Sequence, residues 1–205
     1  MTPRRPQAAL GLRAHSGWAA LVAVGGPAAA PQVLDRRRIE MADDPEARQP
    51  YHAAEELPLA AAQALLDRLA RVARERAAAG LGAALADLRT DGYDVVGAIV
   101  LTASGKTLPG LESILASHAL IHTADGEHFR DALAFAAKQH RVPVVRIREK
   151  DLGAQAAKTL GEPAAALQAT VTAWGKPLGP PWTQDQKLSA LAGWLGLVLP
   201  AGSYS

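Results

Sequence analysis

Four residues in one stretch have the types and spacing for metal or acid–base chemistry: His118, His122, Asp125 and His128. On a helix, positions i and i+4 share a face, so the imidazoles of His118 and His122 could hold one ion, with Asp125 a turn further on. The same pattern suits a packed histidine pair with Asp125 capping a second helix, or a pocket for a ligand other than a metal, and the residues alone leave all three open. A second set lies near the N-terminus. There Arg13, Ala14, His15, Ser16 and Gly17 offer an anion a guanidinium, an imidazole, a hydroxyl and turn amides. Thr102 and Ser104 add hydroxyls at the end of an apolar run, and Ser104-Gly105-Lys106-Thr107 imitates the close of a phosphate-binding loop. That loop needs a glycine where Val100 stands, so residues 104–107 read as an ordinary loop after a strand. Arg36, Arg37 and Arg38 adjoin one another, and Arg146 and Arg148 lie in a second basic segment with Arg141 and Lys150. Both segments read as solvated faces or as a surface for nucleic acid.

Composition narrows the chemistry. The 205 residues contain no cysteine, which removes disulfides, thiolate metal sites and a cysteine nucleophile. Any nucleophile would be Ser, Thr, Lys or a carboxylate. A formal charge of +2 is too mild to imply nucleic acid by itself. Hydrophobic residues make up 49% of the chain, with aromatics at only 4%, so burial is expected through alanine-rich helix packing. No run is long and apolar enough to span a bilayer, and the N-terminal residues lack the sustained apolar segment of a signal peptide. The expected location is cytoplasmic, with no membrane partner.

The elements that must position these groups follow from periodicity. Residues 8–12, 18–24 and 32–39 are separated by turn signals and predict three antiparallel strands in a meander, with residues 13–17 as the first turn. Trp18, inside the second strand, is expected in the core. Residues 41–57 are polar and breaker-rich, hence a surface connection. From Leu59 onward, Leu65, Leu66, Leu69, Val72 and Ala73 recur at helical spacing and predict a long amphipathic helix, with a break near Gly80 and Gly82. Residues 95–101 are continuously apolar, the pattern of a parallel strand buried on both faces at the sheet's centre. A helix over 110–140, a strand over 142–147 and helices over 151–161 and 163–174 follow. Thr183 and Gln186 form a capping box that opens a last helix, whose residues 190–197 suit a core helix or a homodimer seam. Residues 1–7 read as a disordered tail and 8–205 as a single domain, with 162–205 a C-terminal helical extension.

Leu10 to Trp18 as a first strand and turn, the run 94–101, the helix to His140, the strand 142–147 and the helix start at Asp185-Gln186-Lys187 come in a recognisable order. Over residues 8–197 the chain resembles the ribonuclease-H-like superfamily, and within it the Holliday-junction-resolvase-like branch. The resemblance implies an α/β fold: a mixed sheet, an antiparallel three-strand meander plus parallel strands, flanked by helices. It also implies two Mg²⁺ ions held by carboxylates from the first strand, the end of the central strand and a C-terminal helix. Arg13 stands at the first-strand position, residues 99–104 contain no acid, and no Asp or Glu follows Asp185. A degenerate member is therefore expected, without a cofactor unless a carboxylate site for Mg²⁺ is rebuilt. Three functions follow as expectations. The first is a non-catalytic domain binding nucleic acid or a protein partner, using Arg36, Arg37, Arg38, Arg146 and Arg148. The second is an enzyme, or a small-ligand or metal-binding protein, with a cleft rebuilt from Arg13, His15, Ser16, Thr102, Ser104, His118, His122 and Asp125. The third is a structural homodimer or larger homo-oligomer.

Overall fold

The computed structural model describes residues 5–103, 105 and 107–199. Its strands are β1 (Gln7–His15), β2 (Trp18–Gly25), β3 (Gln32–Glu40), β4 (Asp94–Thr102) and β5 (Val144–Arg148). They form one sheet in the order β3-β2-β1-β4-β5. The first three pair antiparallel, and β4 and β5 join in parallel beside β1. The mixed α/β sheet is the one the strand order predicts.

The helices are α1 (Pro45–Arg48), α2 (Pro50–Ala54), α3 (Leu59–Thr90), α4 (Leu111–Leu115), α5 (His118–Gln139), α6 (Glu149–Leu160), α7 (Ala164–Leu178) and α8 (Gln184–Val198). Strand alternation sorts them onto two faces. Leu10, Leu12, Leu21 and Val100 pack with Ala77, Leu81, Phe129 and Leu133 of α3 and α5. Val22, Val24, Ile99 and Leu101 pack with Leu152, Leu167, Val171, Leu191 and Leu195 of α6, α7 and α8. The apolar run in α8 is core, since residues 189–196 are all buried against the chain's own sheet. Among the described residues, no helix is long and apolar enough to cross a membrane.

Several local expectations change. Arg13 is not in the first turn: it lies in the ladder opposite Ala20, and the turn is only Ser16-Gly17, closed by His15 against Trp18. Gly17, at φ +85°, takes the left-handed conformation that so tight a turn requires. Trp18 is not core. It is half-buried beside the turn, stacked on the His15 ring at 4.3 Å between centroids, and the Arg38 guanidinium lies 4.1 Å from its own ring centroid. Flat cationic or polarisable groups cover it instead of aliphatic ones. The helix α3 runs unbroken past both glycines, which mark close contacts. A Cβ on Gly80 would meet Ile39 at 2.8 Å, and one on Gly82 would meet the His140 ring at 2.9 Å. The helix expected over 110–140 is instead two, α4 and α5, interrupted at Ala116 and Ser117.

Candidate functional site

On β1, residues 9, 11, 13 and 15 share the face turned to α8. On α8, Asp185, Ser189 and Gly193 form one i, i+4, i+8 stripe. The two rows meet at Gly11, where a Cβ would stand 1.8 Å from the Ser189 carbonyl oxygen and 2.8 Å from the Gly193 amide nitrogen. Only a glycine at position 11 lets the α8 backbone lie directly on the strand. With that contact fixed, Asp185, one turn before Ser189, falls over Arg13, two residues beyond Gly11. The start of α8 is set by its capping box, in which Thr183 accepts from the helix backbone and Gln186 reaches back to the Thr183 amide. Glu149 arrives from the other side, at the end of β5 and in the first turn of α6.

The guanidinium of Arg13 takes both carboxylates. Its Nε and Nη2 donate to Glu149 Oε2 and Oε1 at 2.9 and 3.0 Å, a two-pronged pairing. Its Nη1 donates to Asp185 Oδ1. His15 Nε2 lies 2.9 Å from the same Oδ1 and 2.8 Å from Arg13 Nη1, so it serves as donor or acceptor according to its tautomer. Burial pushes the Asp185 carboxyl up, but the hydrogen bonds and charges of His15 and Arg13 outweigh it and hold the group below the ordinary carboxylate range. The hydrogen bond to Glu149 raises Arg13 above its already high value, against the opposing effect of burial. Beside this node a cleft of about 310 Å³ is bordered by Glu149, Lys150, Gln168, Thr172, Gln184 and Lys187. Neither lysine is in an ion pair among the described residues.

The other cleft residues picked out by sequence divide into groups. Ser16 is exposed in the hairpin turn. Thr102 is 5% exposed, and alternation places it with Val100 on the sheet face opposite Arg13. Ser104 lies outside the described residues. His118 and His122 do face one another on α5, with their Nε2 atoms 3.0 Å apart. Asp125 turns to α2 and is nearly buried. Its Oδ1 accepts from the Tyr51 amide at 2.7 Å, and its Oδ2 is 2.5 Å from His52 Nδ1. Burial raises the Asp125 carboxyl above its ordinary range, opposed by the hydrogen bonds from Tyr51 and His52.

Sequence reasoning missed Glu149 and His52. Glu149 carries a usable signal, because it directly follows the C-terminal end of a parallel strand, where open α/β sheets place their sites. His52 stands in a breaker-rich connection with no periodicity to mark it.

No family model matches the chain, and no curated protein does. Among solved structures, Thermus thermophilus RuvC in complex with a Holliday junction substrate matches with a TM-score of 0.53 at 13% identity, covering 92% of this chain and 91% of that one. A second Thermus thermophilus RuvC structure matches with a TM-score of 0.52 at 14% identity, covering 92% of each chain. The fold is ribonuclease-H-like, as in these RuvC structures.

Within this fold, the arginines singled out as a nucleic-acid surface all have partners inside the chain. Arg36 donates to the carbonyls of Leu178, Gly179 and Pro181 at 2.6–2.8 Å, closing the C-terminal end of α7, where a cation also meets the negative end of the helix dipole. Arg37 pairs with Asp35 at 2.5 Å and Asp87 at 2.7 Å. Arg38 pairs with Glu40 while covering Trp18. Arg146 pairs with Asp131 at 2.5 Å and Glu127 at 3.5 Å, and Arg148 pairs with Asp151.

Proposed function

We propose that this chain binds nucleic acid at the end of the sheet where β1 and β5 finish and α8 begins, and does not cut it by two-metal chemistry. Arg13 is the observation that carries the reading. It stands at the first-strand position that the resolvase resemblance gives to a metal-binding carboxylate, and its guanidinium holds both nearby carboxylates, Glu149 and Asp185. A hard divalent cation needs several anionic oxygens free to coordinate it. Here the two carboxylates are spent on an internal cation, and β4 ends in Leu101 and a buried Thr102. These residues do not fit a pair of Mg²⁺ ions.

The ligand class follows from what borders the node. Lys150 and Lys187 flank the adjoining cleft, and the amides of Gln168 and Gln184 add neutral donors, a set suited to phosphate oxygens. The likeness of fold to RuvC in complex with a Holliday junction substrate makes branched DNA the first probe.

The test is fluorescence anisotropy of labelled four-way junction and duplex DNA at about 50 and about 200 mM salt, because phosphate contacts release counterions. Binding should weaken steeply with salt, and Lys150→Ala and Lys187→Ala should each flatten the salt slope by about one unit. No binding at the lower salt would refute the reading.

A further inference from the structure

The histidines of α2 and α5 do not belong to the Arg13 node, and packing does not explain them. His118 and His122 are exposed, so their edge-to-face contact, at 4.5 Å between ring centroids, is not a core contact. His52 joins them from α2: its ring centroid is 4.5 Å from that of His122 and 5.4 Å from that of His118, in both cases edge to face. One ligand-capable ring nitrogen from each of the three lies within 4.8 Å of the other two.

We propose that His52, His118 and His122 bind a divalent transition-metal ion of the zinc class, with Asp125 as the positioning residue for His52. Two imidazole nitrogens on a tetrahedral zinc, each at about 2.0–2.1 Å, lie about 3.3–3.4 Å apart. The His118 and His122 Nε2 atoms, at 3.0 Å, need to part by only a few tenths of an ångström. The i, i+4 spacing on α5 brings them to one face, and α2 supplies the third ligand from across the helix pair.

Asp125 makes the third ligand usable. Its side chain is 8% exposed and pairs with His52 Nδ1 at 2.5 Å, while the Tyr51 amide fixes its other oxygen. A carboxylate on Nδ1–H holds the tautomer whose Nε2 carries the free lone pair, and raises its basicity as a ligand. Both Asp125 oxygens are taken, by the Tyr51 amide and by His52, so the ligand set is three imidazoles, not two and a carboxylate. Imidazole ligands select zinc, copper or nickel over magnesium and calcium. Three protein ligands leave the fourth position to water or an anion, the arrangement of an exchangeable site rather than a closed structural one.

The site does not depend on the nucleic-acid reading, and its test is separate. Tag-free, metal-stripped full-length protein is titrated with Zn²⁺ and with Co²⁺, reading stoichiometry by calorimetry, coordination by the visible Co²⁺ absorption, and Tm by calorimetric scan. One equivalent should bind, with the intense visible bands of tetrahedral Co²⁺, and Zn²⁺ should raise the Tm. His118→Ala and His122→Ala, both at exposed positions, should leave the Tm of the stripped protein unchanged and abolish the bands. Asp125→Asn should keep the bands while loosening the affinity about 10–100-fold. Less than one equivalent bound, or undiminished binding by His118→Ala, would overturn the proposal.

Discussion

Gly11 and Ser189 pack so closely that α8 lies on β1 backbone to backbone, with room for no side chain between them: a Cβ at position 11 would be 1.8 Å from the Ser189 carbonyl oxygen. This contact sets where the N-terminal end of α8 falls, and so places Asp185 over Arg13. Gly11→Ala should therefore lift α8 from the strand and cost about 3 kcal/mol, at the upper end of what overpacking does. Gly153→Ala is the control, since a Cβ inside α6 meets nothing within 4 Å and should stabilise by about 0.5–1 kcal/mol. Urea midpoints of the two variants should move in opposite directions.

Arg13 neutralises two carboxylates that are 21% and 37% exposed, so the node lies between a surface pair and a buried one. Arg13→Gln leaves both carboxylates without their cation and should cost about 1–2 kcal/mol near neutral pH. The Asp185 carboxyl is held below its ordinary range, so its contribution is present above the unfolded value and lost as pH falls through the lower folded one. Acid unfolding followed by circular dichroism should show a smaller loss of stability on that limb in Arg13→Gln than in the parent chain.

His128 provides a second pH dependence on the opposite side of the sheet. Burial pulls its imidazole down to about 4, with Asp131 opposing and Arg74 adding to the fall, and its Nε2 has no hydrogen-bond partner among the described residues. Asp67 and Tyr51 border the same cleft. Between that value and the unfolded value near 6.5, the unfolded chain binds more protons, so stability is complete above the window and declines as pH falls through it. The loss from pH 7 to pH 5 should be about 2 kcal/mol. His128→Leu removes an unpaired buried nitrogen and should abolish that step, which thermal scans across the pH range will measure.

The fold was legible in the sequence where local signals agreed. Gly17, the apolar run of β4 and the Thr183 capping box each act within a few residues of where they stand. The site was legible only in part, because its members meet across long separations. Arg13 pairs with Glu149 and Asp185, 136 and 172 residues away, and no periodicity links them. His118 and His122 announce themselves by helical spacing, but His52 reaches them only through the packing of α2 on α5. Trp18 misleads for a related reason: a strand position predicts burial, and the cover it receives, from His15 and Arg38, depends on side chains of two other strands.

Whether Arg13 takes the carboxylates a metal would need is decided by incubating the protein with labelled four-way junction in Mg²⁺ and resolving bound, free and cut DNA. The junction should be shifted but intact at every time point. Mg²⁺-dependent cleavage that disappears in Asp185→Asn would contradict it, since it would show that Asp185 serves a metal and not the guanidinium of Arg13.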